Sequence, residues 1–145
     1  MIAVFGDQNV KKVFSKTWQF REEGIQALES EIINEGRYNE SKAFVNGIGV
    51  VRYTVGDKMA QVAQRAMQMI VNLCRNLRPS LNSNQKGELQ FYTEPIISSL
   101  VDKLGDNLMK LRTGAEEALL SMAEHPNFGV QVCMNVLTRP APLAG

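Results

Sequence analysis

Apolar residues recur at helical spacing along almost the whole chain, with few alternating runs, and clusters of Gly, Asn, Pro and Ser separate the stripes. The pattern predicts an all-α protein. An opening helix over about Asp7 to Ser15 carries Val10, Val13 and Phe14, and a short break at Lys16-Thr17 leads to a second helix. The second helix begins near Trp18 and runs through Ile25, Leu28, Ile32 and Ile33 to Gly36, with Thr17 as its expected N-cap. A third, about Glu40 to Val55, places Phe44, Val45, Ile48, Val51, Tyr53 and Val55 along its length. Its β-branched content makes a strand the rival reading there, and Gly47 and Gly49 suit neither well. A fourth helix, Lys58 to about Leu77, capped by Asp57, repeats Met59, Val62, Ala66, Met69, Ile70, Leu73 and Leu77 before Arg78-Pro79.

The segment Ser80 to Gly87 reads as a polar loop. Helices at about Glu88 to Leu104 and Asn107 to Glu124 follow, separated by Gly105-Asp106, with Pro95 kinking the first or marking its start. A seventh, Asn127 to Leu137, has no partner. The second helix of each pair carries a small residue followed three positions later by Ala-Leu or Ala-Met: Gly24 to Leu28, Ala63 to Met67 and Ala115 to Leu119. Small residues let helices approach closely, while Leu28, Met67 and Leu119 fill the layer between them. The spacings of 39 and 52 residues bracket the about 40–47 of HEAT or armadillo units. The expected architecture is therefore an α-solenoid of antiparallel helical hairpins, about three repeats plus one extra helix, over residues 1–138, followed by a Pro-rich tail, 139–145.

Length and composition fit this architecture and narrow the chemistry. The 145 residues are 44% hydrophobic and 21% charged, enough for one domain with a sizeable core. With 16 Lys plus Arg against 15 Asp plus Glu, attraction to an acidic partner must come from local patches, and a nucleic-acid partner is not expected. No apolar run approaches the ~18 residues of a membrane span, and Met1 to Val10 lacks signal-peptide character, so a cytosolic protein is expected. Cys74 and Cys133 both fall in apolar helical patterns and read as buried thiols of a reducing compartment. A single histidine, His125, rules out a histidine-based metal cluster, and no cofactor is expected. Ser121 precedes it by one helical turn, but no acid is placed to orient the ring, which argues against an enzyme.

Several local features have simple structural readings. Met59, Met67, Met69 and Met122 at helical spacing are core filler. Gly47-Ile48-Gly49 lacks the third glycine and preceding strand of a dinucleotide loop and reads as a tight helix contact. Asn39-Glu40-Ser41 matches a glycosylation triplet by chance, and Lys11-Lys12 reads as a solvated face, with a widening of the basic ridge as the alternative.

In a stack of hairpins the turns within each hairpin line one edge, so residues distant in sequence form one ridge. The first turn carries Lys16, Thr17, Trp18 and nearby Arg21, the second Gly56, Asp57 and Lys58, the third Gly105, Asp106, Asn107, Lys110 and Arg112. Layers about 10 Å apart would spread three turns over about 20 Å, a surface for a protein partner. Trp18 opens a helix directly after a polar turn, as an interface anchor would. It also lies on the spacing 18, 21, 25, 28, 32, the core-facing stripe, and could instead cap the edge of the core. On periodicity the two readings carry equal weight.

Phe5-Gly6-Asp7, followed by Val13-Phe14-Ser15-Lys16-Thr17-Trp18-Gln19-Phe20-Arg21-Glu22-Glu23, resembles the first repeat of a TOG domain. TOG domains are HEAT arrays that bind αβ-tubulin through their intra-repeat turns. The Ser-Lys-Thr-Trp-x-x-Arg-Glu form is most similar to the TOG domain of a centrosomal protein of centriole and cilium tips, and less so to the polymerase or CLASP branches. The resemblance is strongest in the first repeat, and the chain corresponds to about the N-terminal half of such a domain. It implies that Trp18 packs on tubulin with Lys16, Thr17 and Arg21 beside it, and that later turns contribute Lys58, Lys110 and Arg112. It further implies a non-enzymatic protein of the cytoplasm and cytoskeleton, at the centriole, centrosome and cilium tip, with other centriolar or ciliary proteins as further partners and no membrane or nucleic acid. The alternatives are a generic HEAT scaffold for a peptide of another cytoskeletal or ciliary protein, and a self-associating module using Phe128, Val130, Val132 and Val136 of the unpaired seventh helix.

Overall fold

In the computed structural model of the chain the structure describes residues 2–128. The order is α1 (Ile2–Phe5), α2 (Gln8–Val13), α3 (Trp18–Ile33), α4 (Glu40–Thr54), α5 (Ala60–Asn76), α6 (Ser83–Lys103) and α7 (Met109–Glu124). The all-helical expectation holds. The expected helix over Asn127 to Leu137, Cys133, the apolar residues Val130, Val132 and Val136 and the tail 139–145 lie outside the described residues. None of the described helices is long and apolar enough to cross a membrane.

Short turns force α2 back on α3, α4 on α5 and α6 on α7, giving three antiparallel hairpins among the described residues. The second helices pack side by side, α3 on α5 and α5 on α7, while α4 packs on α6 in the other layer and α1 rests against α4. This is the solenoid arrangement. Gly6 and Gly36, at φ 75° and 58°, take the left-handed backbone conformation that ends α1 and α3.

Helix α4 explains why a strand competed with a helix in the pattern. It is touched by α1, α3, α5 and α6, so nine of its fifteen residues, among them Val45, Ile48, Val50 and Val51, are buried and no clean amphipathic stripe survives. Its glycines are contact points. A Cβ on Gly47 would stand 3.1 Å from Leu73 Cδ1, and one on Gly49 would stand 3.2 Å from the Tyr92 ring. Asn39 serves α4 as N-cap, its Oδ1 accepting from the Lys42 N–H at 3.2 Å. Met67, Met69 and Met122 are core residues, with Met59 half-buried at its edge. Lys11 and Lys12 lie at the surface in ion pairs with Asp7 and Glu23.

Three expectations are corrected. The stretch Ser80 to Gly87 is not a loop throughout: Asn82 and Gln85 form a reciprocal capping box, and α6 starts at Ser83. Pro95 neither starts nor ends that helix; it lies inside α6 on an exposed position. Thr17 occupies the N-cap of α3, but its side chain makes no capping hydrogen bond. The N–H that leads into this helix is met by Ser15 Oγ at 3.1 Å instead.

Beyond α7 the chain is pinned back onto the α5–α6 connection. His125 is buried, with Nε2 2.7 Å from the Leu77 carbonyl oxygen and Nδ1 accepting the Asn127 N–H at 3.1 Å. A carbonyl can only accept, so Nε2 carries the proton and the ring is neutral. Both ring nitrogens are thereby occupied, away from any nucleophile. Burial lowers the imidazole pKa below its ordinary 6.5, the Leu77 bond opposing and the nearby Arg78 charge assisting. Protonation is thus easier in the unfolded chain. The stabilisation is complete above about pH 6.5 and is lost as pH falls through the lower folded value. Urea midpoints at pH 7.5 and 5 are expected to show this loss, and His125→Gln is expected to flatten the difference.

Candidate functional site

The three intra-hairpin turns are built on one plan. In each, a side-chain oxygen accepts the N–H two residues on: Ser15 Oγ from Thr17 at 3.1 Å, Asp57 Oδ1 from Met59 at 2.9 Å and Asp106 Oδ1 from Leu108 at 2.9 Å. These positions are 42 and 49 residues apart, so the structural register differs from the 39 and 52 of the small-residue pattern. Gly24 is equivalent to Ala66 and Ala115, not to Ala63. Gly24 earns its place at the α2–α3 crossing, where a Cβ would come 2.9 Å from the Val13 backbone nitrogen.

Arginines behind the turns hold them rigid. Arg21 Nη1 donates to the carbonyls of Ser15 and Lys16 at 2.9 and 3.1 Å, while Nε and Nη2 grip both oxygens of Asp57 at 2.8 and 3.0 Å. One side chain therefore ties the first turn to the second. Arg112 repeats the inward half of this arrangement, donating to the carbonyls of Asp106 and Asn107 at 2.7 and 3.2 Å. Both guanidinium groups are committed to the turns, whereas the resemblance placed them among the partner contacts. The sequence signal was present in the shared six-residue interval from Ser15 to Arg21 and Asp106 to Arg112; Asp57 as the acceptor in the neighbouring turn had no local signal.

Removing Arg21 would leave the Asp57 carboxylate, 11% exposed, without its ionic partner. Arg21→Ala is expected to cost about 2 kcal/mol of stability, read from urea denaturation. With Asp57→Ala already present, the same change should cost markedly less. Additive costs would show that the pair does not act as a unit.

What remains at the tips is basic and apolar. Lys16 and Lys58 occupy equivalent tip positions, Asn107 stands at the third, and Lys110 follows in the first turn of α7; all four are exposed. None of the three lysines forms an ion pair among the described residues. Thr17 is exposed, and Trp18 is half-buried, packed against the core along one side. The packing matches the reading of Trp18 as a cap on the core edge, and the rest of the side chain is open to solvent. Phe14, which precedes the first turn and which the pattern assigns to the stripe of the opening helix, is 53% exposed. Among the described residues no group of three or more His, Cys, Asp or Glu could hold a metal ion. Cys74 is buried, and desolvation pushes its thiol pKa up to about 12, so it stays protonated and unreactive.

Stacked helical hairpins with a shared turn edge define a HEAT-like array, and solved structures agree. The fold is similar to a structure described as "CEP104 TOG domain", with TM-score 0.63 and 22% identity over 88% of this chain and 51% of that one. It is likewise similar to the "Structure of the TOG domain of human Cep104", with TM-score 0.69 and 21% identity over 99% of this chain and 57% of that one. The family profile of the TOG domain of centrosomal protein CEP104 matches residues 1–140, and the chain belongs to that family. It spans about half the length of the solved domains it matches. No curated protein sequence shows a significant match.

Proposed function

We propose that this chain is a non-enzymatic tubulin-binding module that captures αβ-tubulin or microtubule ends on its turn ridge, in centriole or cilium assembly or length control. Its place is then the cytoplasm and cytoskeleton, at the centriole, the centrosome and the cilium tip. Trp18 supplies the desolvated contact, with Thr17 at its side, and Lys16, Lys58 and Lys110 supply the charge that meets an acidic partner. Arg21 and Arg112 act one step back, by fixing the carbonyls and hence the direction of the turns. The observation that carries this reading is the pair of exposed lysines at equivalent turn tips, Lys16 and Lys58, with Lys110 in the first turn of α7, none of them in an ion pair among the described residues. The turn hydrogen bonds fix the backbone from which the lysines project, so the ridge itself needs no reordering on binding.

The test is size-exclusion co-elution with free αβ-tubulin at low salt. Co-elution is expected for the native chain, a weaker complex as ionic strength rises, and none when Lys16, Lys58 and Lys110 are all changed to Glu. Binding insensitive to salt and to the triple change would overturn the ridge as the site. No co-elution of the native chain would remove tubulin as the partner of this chain by itself.

A further inference from the structure

The surface of the first-layer helices carries a second feature, which begins at Phe14 beside the first turn and runs across α4 to α6. Phe14 at the end of α2 meets Tyr53 of α4 edge to face, with centroids 5.3 Å apart. The Arg52 guanidinium carbon lies 5.3 Å from the Tyr53 ring, 4.9 Å from Phe91 and 6.0 Å from Tyr92, the last two on α6. Phe91 and Tyr92 are themselves 6.0 Å apart. The result is a continuous stripe across three hairpins: ring, ring, cation, ring, ring. Phe14, Tyr53 and Phe91 are 53, 52 and 63% exposed, so together they form a contiguous apolar patch rather than scattered single side chains.

Gly49 makes the stripe possible, because the Tyr92 ring lies on the bare backbone of α4 there. Tyr92 is also fixed at its far end, its hydroxyl donating to Glu88 at 3.0 Å. Arg52 makes no ion pair among the described residues; its Nη1 donates to the Tyr53 hydroxyl at a long 3.5 Å. Arg21, Arg37 and Arg65, by contrast, each hold a carboxylate, while Arg75, Arg78 and Arg112 also form no ion pair among the described residues.

We propose that this stripe is a docking site for an acidic peptide segment that carries an aliphatic or aromatic side chain, its carboxylate on Arg52 and its apolar group on the exposed ring of Tyr53 or Phe91. Charge complementarity selects the occupant. A guanidinium held in position by rings on both sides, with donors left over, offers a charge-assisted bidentate contact at little cost in entropy. Arginine among aromatic residues is the composition of interface hot spots. A single cation is too few for a nucleic-acid backbone. The proposal does not rest on the turn ridge being a tubulin site.

The test is an amide NMR titration of the isotope-labelled 145-residue chain with the acetylated and amidated pentapeptide Glu-Glu-Leu-Glu-Glu. Saturable shifts are expected at Arg52, Tyr53 and Phe91, including the Arg52 Nε–H. Arg52→Gln is expected to weaken binding about tenfold, which corresponds to about 1.4 kcal/mol, with Arg52→Lys in between. Phe91→Ser should weaken it too, and Lys-Lys-Leu-Lys-Lys should leave the stripe unmoved. Unchanged helical circular dichroism would show that these surface variants remain folded. The proposal falls if millimolar peptide leaves the stripe unshifted, or if shifts map to Lys16, Lys58 and Lys110 and survive Arg52→Gln. It falls equally if the stripe shifts on dilution without peptide and Phe91→Ser removes that effect, which would assign the surface to a second copy.

Discussion

Phe44→Ala is expected to lower the unfolding free energy by about 4 kcal/mol, within the range for emptying a large aromatic site in a core. Phe44 is fully buried on α4, the helix that most of the others touch. Its ring stacks on the His125 imidazole, 4.9 Å between centroids at an interplanar angle of 11°, and lies 5.5 Å from Phe128. These contacts join the centre of the array to the segment that follows α7. Alanine would therefore leave a cavity and also release the partner that keeps His125 dry against the Leu77 carbonyl. The neighbours are helices fixed on several sides, so collapse into the gap is limited and the cavity term stays large. Urea denaturation should show a lower midpoint with an unchanged slope, and Tm should fall by roughly 10 °C. Phe44→Leu, which keeps most of the volume, should cost less than half as much. A loss below about 1 kcal/mol for alanine would mean that this aromatic cluster does not close the core.

The second large effect concerns binding. Trp18→Ala is expected to weaken the proposed tubulin complex by about 2 kcal/mol or more, roughly thirtyfold. Trp18 is half-buried and touches the core, so the same change also removes some packing and must be read on two axes. A thermal melt followed by circular dichroism gives the folding cost, which should be small because the ring closes an edge rather than filling the interior. Affinity measured well below the melting transition gives the binding cost. Trp18→Phe should restore most of the stability and only part of the affinity, since the smaller ring reaches the edge of the core but offers less area to a partner. Equal affinity of Trp18→Ala and the native chain would leave Trp18 as a capping residue of the core and remove it from the site.

Much of the fold was legible because helices announce themselves locally. The 3.6-residue period placed α3, α5 and α7 within a few residues of their observed bounds, and Gly36, Asp57 and Gly105 marked where the chain turns. The start of α6 was also written in the chain, as Asn82 and Gln85, but a capping box in a polar stretch looks like a loop when composition is weighed before spacing. For α4 the periodicity was less informative for a physical reason: with nine of fifteen residues buried, its polar side is reduced to a narrow edge at Lys42, Asn46 and Tyr53, and β-branched residues fill the rest.

By itself, then, the sequence determined an all-helical array of hairpins, the turn edge as the place to look, and the residues that open each turn. These are short-range properties, set by backbone preference, period and turn chemistry over four to eight neighbouring positions. The tertiary structure alone decided which of those residues remain available. Arg21 is withdrawn from the surface by Asp57, 36 residues away, Lys16 and Lys58 are left unpaired, and Phe14, Tyr53, Arg52 and Phe91 meet across three hairpins. Each of these outcomes depends on distances between helices that no local pattern encodes. A side chain's role here follows from which partner the packing brings within 3 Å for a hydrogen bond or about 5 Å for a ring contact, and that is a property of the stacked layers.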